Sequence, residues 1–476
     1  MWTLNRKVDS NMVDLGQMRK PWVDTLRDRL GDIVSTAAED LKSHGRDEGY
    51  EQEFPPECVV YARNKEDVLR VLEVAQEYSV PVTSFGAGSS LEGNAIPVKG
   101  GISLDMGRMN RILNIEPENL CVTAEPGLLH PELNHVLRPH GLFFSVDPGA
   151  EASLGGMAGT NASGANALRY GAMRDQVLEM EVVLSTGRVI RVGSKARKSS
   201  SGYDLKDLFI GSEGTLGIIT ELTVKVYPIP ARSVSLRAVF PDLEPAVRAA
   251  TELAQTELNL ARLELVDEEC VRAVNGYKAT DYPEKPTLWM ELVGNSEAAV
   301  EEEVEVAERL CREAGAEDVS AARDEEEQEQ LWEARHHAWY AVDDAYPEDH
   351  TISTDICVPI AGLAEAIDTT RQLLKEHYLS APIIGHAGDG NYHLFFHLSP
   401  EDKDGWRRLE HVIEGMTAKA LKLGGTCTGE HGVGLRKIKY QESEHGEGLS
   451  LMREVKKSFD PLGLLNPGKV LPNAQE

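Results

Sequence analysis

The sequence predicts an α+β protein of at least two domains, and three observations carry that expectation. A strand–helix–strand unit stands at residues 58–85. Glycines and small side chains then gather between short strands over 151–226. After Pro228 and Pro230 the composition changes, and strands alternate with amphipathic helices. A chain of 476 residues exceeds one ordinary hydrophobic core, so two or three domains are expected.

In chain order, residues 1–54 read as a polar helical segment, closed by Pro55-Pro56. Cys58 to Ala62 is an apolar strand. Asn64 stands where a helix N-cap belongs, and Val68, Leu72 and Ala75 share one face of the helix that follows. Pro81 to Phe85 is a second strand, leading into glycines. Val177 to Val192 forms a hairpin turning at Thr186-Gly187, and Ile218 to Val226 a further strand. Beyond residue 231 the expected elements are a strand Ser233–Phe240, a helix Leu243–Gln255, a strand Leu288–Val293 and an acidic helix Ser296–Gly315. The run Asp324 to Glu327 reads as a solvated helix face, and Thr351 to Pro359 as one strand.

The net charge of −29, from 49 basic and 78 acidic residues, argues against nucleic acid and anionic lipid as partners. No apolar run is long enough for a transmembrane segment, and the start of the chain lacks the apolar stretch of a secretory signal. A cytoplasmic protein, at most peripheral to a membrane, is expected. The six cysteines form no CxxC pair, which excludes ribbon-type zinc and iron–sulfur spacing; Cys427 reads as a packing residue.

Two segments carry a ligand signal. The first is Ser84-Phe85-Gly86-Ala87-Gly88-Ser89-Ser90-Leu91-Glu92-Gly93-Asn94. Backbone amides in such a turn can converge on a pyrophosphate, and taken alone the loop reads equally well as a tight turn. It does not open a helix in the manner of a nicotinamide site. The second runs from Pro148-Gly149 through Gly155-Gly156, Ala158, Asn161 and Gly164. Side chains this small let the backbone pack against a large flat ligand. Gly211 to Ile219, with Gly214, Ile218 and Ile219, extends the pattern.

The third signal is His386-Ala387-Gly388-Asp389-Gly390-Asn391-Tyr392-His393, followed later by Gly429-Glu430-His431-Gly432. Two imidazoles and a carboxylate suit a divalent metal with one position left open. His431 beside them suits a proton acceptor. For His336, His337, His350 and His377 an ordinary core or surface role is expected, with lining of the site as the alternative for His337.

These motifs, with Asn466-Pro467-Gly468-Lys469, resemble in type and order the vanillyl-alcohol oxidase / p-cresol methylhydroxylase superfamily of FAD enzymes. Within it they resemble the FAD-linked D-lactate dehydrogenase (cytochrome) group, related to the glycolate oxidase FAD subunit and to D-2-hydroxyglutarate dehydrogenase. The resemblance runs from about residue 55 to the C-terminus. It implies a two-subdomain FAD-binding domain over 55–230, a cap over 231–425, and a segment 426–476 that returns to the first domain and completes the site. It implies that FAD binds non-covalently, since the first loop holds no histidine. The cofactor contacts it implies are Ser84, Gly86, Ala87, Gly88, Ser89, Ser90, Gly93, Asn94, Pro148, Gly149, Gly155, Gly156, Ala158, Asn161, Gly164, Gly214, Ile218, Ile219, Asn391 and Asn466. It assigns His386, His393 and Glu430 to a divalent metal: zinc fits these donors, and manganese, iron and cobalt stay open. His431 becomes the base, with hydride transfer to flavin N5, and Arg335 becomes the substrate's carboxylate partner.

Group members that take 2-hydroxyglutarate use an extra basic residue in the strand after the segment Trp332–Trp339, which carries Arg335. Thr351 to Pro359 has none, which favours D-lactate, with glycolate as the alternative. No haem-attachment motif is present, so electrons are expected to leave to a separate cytochrome, quinone or electron-transfer flavoprotein.

Overall fold

The protein is described by a computed structural model covering residues 20–345 and 349–472. The expectation for residues 1–19 lies outside the described residues.

The first half holds two sheets. In the smaller, Cys58–Tyr61 and Val82–Phe85 both pair in parallel with Ile102–Asp105. The connection is the helix Lys65–Tyr78, whose N-cap Asn64 accepts from the Asp67 amide, as its position predicts. The helix buries Val68, Val71, Leu72 and Ala75 in one cluster with Trp22, Leu26 and Leu30 of the helix Pro21–Leu30. Helix does not fill the described part of the N-terminal segment. Val34–Ser35 is an edge strand pairing antiparallel with Cys58–Tyr61, because its apolar residue completes that core.

The second sheet is antiparallel, in the order Ile112–Glu116, Cys121–Ala124, Ile218–Lys225, Val177–Val183, Val189–Gly193. The last two strands are the hairpin expected around Thr186-Gly187.

From Arg232 the chain builds an eight-stranded antiparallel sheet that includes Leu260–Val266, Thr287–Gly294, Ile383–His386 and Asn391–Leu398. Alternating side chains feed two cores. Leu263 and Leu265 pack with the helices Leu243–Gln255, Glu297–Ala314, Leu363–Glu376 and Lys403–Lys422. Val266, Trp289, Ile384 and Phe395 pack on the other side, with residues of Glu268–Lys278, Glu325–His336 and Ala338–Asp344. Asp324 to Glu327 are exposed, as their charge predicts. The single strand expected over Thr351–Pro359 is instead two, His350–Ser353 and Ile356–Cys357. The break falls at Asp355, whose carboxylate is wholly buried and has another task.

The end of the chain ties the parts together. Cys357 bridges to Thr426. Leu465 then pairs with Val82, where the Val82 amide donates to Leu464 O at 2.8 Å and the Asn466 amide to Val82 O at 2.8 Å. Among the described residues no helix is long and apolar enough to cross a membrane.

Candidate active site

One cavity gathers the three sequence signals. Its walls include Ser84 to Ser90 and Asn94, then Pro148, Gly149, Gly155 and Gly156, then Gly214, Ile218 and Ile219, and finally Arg335, His386, His393, Glu430 and His431. The first glycine loop leaves the strand Val82–Phe85 and faces Ser153, which caps the helix Leu154–Thr160 by accepting from the Gly156 amide. Gly214 has φ +69°, and a Cβ there would press into Ser84 Oγ. We expect Gly214→Ala to destabilise the protein by about 1–2 kcal/mol from its left-handed backbone, measured by denaturant unfolding. An unchanged midpoint would contradict this.

Several residues expected to touch the cofactor are engaged with other parts of the chain. Asn391 spends its amide on Asp355 Oδ1 (2.8 Å) and Ile356 O (2.9 Å). Asn466 donates to Asn94 O (2.9 Å) and Glu213 O (2.7 Å). Asn161 ends a helix with φ +56°, its side chain accepting from the Arg174 amide. Gly93 donates to Asp47 Oδ2 at 2.6 Å, Ala158 is fully buried, and Gly164 lies against the Asp147 carbonyl.

The His and Glu residues come together as follows. His386 Nε2 lies 3.3 Å and His393 Nε2 3.1 Å from Glu430 Oε1. The far nitrogens are already engaged: His386 Nδ1 with Glu264 Oε1 at 2.8 Å, His393 Nδ1 with Thr354 O at 2.9 Å. Ser163 donates to the other Glu430 oxygen at 2.6 Å. Ligand atoms of all three residues lie within 4.8 Å of one another. Burial opposes charge on His386, but Glu264 and Glu430 overcome it and hold the imidazole well above its usual range. Burial also opposes ionisation of Glu430, and His386 and His393 hold it well below the usual carboxylate range. A divalent cation between the Nε2 atoms and Glu430 would satisfy the same field, so the donor set fits a metal.

Arg335 lines the cavity and donates to Glu264 Oε2, while its Nε is buried without a hydrogen-bond partner. Burial would raise the Glu264 carboxyl, but Arg335 and His386 bring it down to about 2. His337 does not line the cavity; its Nδ1 contacts Glu333 O at 2.8 Å. Cys427 is buried and burial pushes its thiol up, in keeping with packing.

Sequence reasoning missed the carboxylates that hold the Gly429–Lys437 turn. Asp355 Oδ2 accepts from the Glu430 and His431 amides (3.0 Å each), from Thr428 Oγ1 (2.8 Å) and from Lys437 Nζ (3.2 Å). Glu213 accepts from the Val433 amide at 2.6 Å and the Gly434 amide at 3.0 Å. Glu92 pairs with Lys437 Nζ at 3.1 Å. Glu264, which contacts His386 and Arg335, was missed as well: as a lone acid in Leu263-Glu264-Leu265 it stands out from its strand, but the sequence does not show what it meets.

With this geometry in place, the comparisons with known proteins are specific. Residues 56–193 match the FAD binding domain model, and residues 229–470 the model of the C-terminal domain of FAD linked oxidases. The chain belongs to the FAD-linked oxidases. A probable mitochondrial D-lactate dehydrogenase of Danio rerio is 41% identical over 95% of this chain and 92% of its own length. A mitochondrial D-lactate dehydrogenase [cytochrome] of Arabidopsis thaliana is 38% identical over 96% of this chain and 81% of its own length. A glycolate oxidase subunit of Bacillus subtilis is 36% identical over 87% of this chain and 89% of its own. In fold, the family member described here superposes on p-cresol methylhydroxylase with a TM-score of 0.79 at 17% identity, covering 96% of this chain and 98% of that one. It is an FAD-dependent oxidoreductase with the fold of p-cresol methylhydroxylase.

Proposed function

We propose that this enzyme oxidises a D-2-hydroxyacid, D-lactate to pyruvate being the reading best supported. The observation that carries it is the convergence of His386 Nε2 and His393 Nε2 on one oxygen of Glu430, at the wall of the cavity that the glycine segments also line. Residues 55–230 with 426–476 hold non-covalent FAD in this reading, and 231–425 form the cap. The FAD, when bound, supplies the acceptor for the hydride from substrate C2. A divalent cation, zinc fitting the donors, would be held by His386, His393 and Glu430 and would supply Lewis acidity toward the 2-hydroxyl.

The chain's own residues do the rest. Arg335 offers its guanidinium to the substrate carboxylate from beside Glu264. His431 takes the hydroxyl proton at Nε2, which lies 4.0 Å from Glu430 Oε1. Trp332, Trp339, Ile384 and Phe395 give the same part of the cavity an apolar wall. Among the described lining residues Arg335 is the one lysine or arginine, which favours a monocarboxylate over 2-hydroxyglutarate. Glycolate is the second reading, favoured by the Bacillus subtilis relative. The name of the Arabidopsis relative favours a cytochrome as electron acceptor.

Anaerobic mixing of the FAD-loaded protein with D-lactate, L-lactate, glycolate and D-2-hydroxyglutarate tests the proposal. D-lactate is expected to bleach the oxidised-flavin absorbance fastest. Faster bleaching by glycolate or D-2-hydroxyglutarate would replace the substrate. No bleaching by any of them, in protein holding FAD and metal, would overturn the activity.

A further inference from the structure

An imidazole that takes a proton at one nitrogen must carry its resting proton on the other, and something must hold it there. His431 stacks on His393, with ring centroids 5.0 Å apart and planes 13° from parallel. Its Nε2 is the nitrogen near Glu430, and Nδ1 lies 3.5 Å from Glu92 Oε1. His431 Nδ1 and both Glu92 carboxylate oxygens are buried, and none makes a hydrogen bond of ordinary geometry. Glu92 is completely buried, and the cations beside it are Lys437 Nζ at 3.1 Å and Arg436 Nε at 3.5 Å.

The backbone of Glu92 aims its side chain at this spot. Its carbonyl accepts from the Leu435 amide at 2.7 Å and from the Arg436 amide at 3.3 Å. Asn94, two residues on, donates to His431 O at 3.2 Å. The end of the first glycine loop is therefore bolted to the turn that carries His431 at both main chain and side chain. Contacts of this kind tighten when an active site fills.

We propose that Glu92 is the positioning residue of the base. Its carboxylate accepts a hydrogen bond from the Nδ1–H of His431, leaves Nε2 unprotonated toward the substrate, and offsets the positive charge that the ring gains with the hydroxyl proton. The proton moves from the substrate oxygen to Nε2 while the Nδ1–H stays in place. This inference rests on the reading of His431 as the base. A carboxylate behind an imidazole fixes tautomer and charge without being protonated itself.

The test uses single-turnover flavin reduction in the FAD- and zinc-loaded protein. Glu92→Gln keeps the shape and one acceptor oxygen but removes the charge. It is expected to lower the saturating rate about 10- to 100-fold, with the substrate dissociation constant within about twofold. In a His431→Asn background the same change is expected to alter the rate by less than about twofold, since the two residues act as a unit. Selective 15N labelling of histidine, read without substrate, is expected to show the Nδ1–H tautomer for His431 and to lose that preference in Glu92→Gln. Glu92→Asp keeps a charge opposite Lys437 but withdraws it from His431 by one carbon–carbon bond, and the same rate loss is expected.

A wild-type saturating rate in either Glu92 variant, or equal losses with and without His431, would overturn the proposal. A wild-type rate in His431→Asn alone would instead overturn the reading of His431 as the base, so the two failures are distinguishable.

Discussion

Glu430→Gln is expected to slow flavin reduction by D-lactate about a thousandfold or more, from several kcal/mol of lost charge stabilisation at about 1.4 kcal/mol per tenfold. The substitution keeps the volume of the side chain. It removes the charge and one of two oxygens at the point where His386 Nε2 and His393 Nε2 meet. An amide nitrogen cannot coordinate a cation, and the amide leaves Ser163 or the two imidazoles facing a donor. Bound metal, measured by elemental analysis, is expected to fall together with the rate, while FAD content is expected to stay unchanged. Removing the metal from the unaltered protein with a chelator is expected to give the same phenotype, reversed by adding zinc. A Glu430→Gln protein with full metal content and a normal rate would remove the cation from the mechanism.

Asp355→Ala is expected to be the most destabilising single change at the site, by about 3–5 kcal/mol, the scale for breaking a buried charge pair. The carboxylate is fully buried, with Lys437, Thr428, Asn391 and the amides of Glu430 and His431 all donating to it. Burial opposes its ionisation, but Lys437, His431 and His393 hold it well below the usual carboxylate range. Alanine leaves the Glu430 and His431 amides and Thr428 Oγ1 without this acceptor, and leaves Lys437 with Glu92 and the main-chain carbonyl of residue 355. Denaturant unfolding followed by circular dichroism measures the effect. A midpoint within about 1 kcal/mol of the unaltered protein, the scale of a single ordinary hydrogen bond, would show that the turn holds itself without Asp355.

The fold was legible where the signal is local. Asn64 announces a helix because its side chain caps the amide of Asp67, three residues on. The helix Leu243–Gln255 and the strand Thr287–Gly294 follow from periodicity within their own sequence. The histidines and Glu430 were legible because glycines surround them. Glu264, Asp355, Glu213 and Glu92 were not, because each is defined by a partner distant in sequence. Glu264 meets His386 across 122 positions, and Glu213 meets Val433 across 220. The break of one expected strand into two has the same origin: Asp355 is drawn out of the ladder by the turn it serves.

The bond of Asn466 to Asn94 and Glu213 also bears on how the protein is made. The loop at Gly86 leaves the ribosome long before Leu465 can pair with Val82. At usual synthesis rates the delay is on the order of tens of seconds. During that interval the glycine loops lack the tail that braces them and the turn that carries Glu430 and His431. Tight FAD capture should therefore wait for the segment around Leu465, and a nascent chain stalled before residue 460 should retain little flavin.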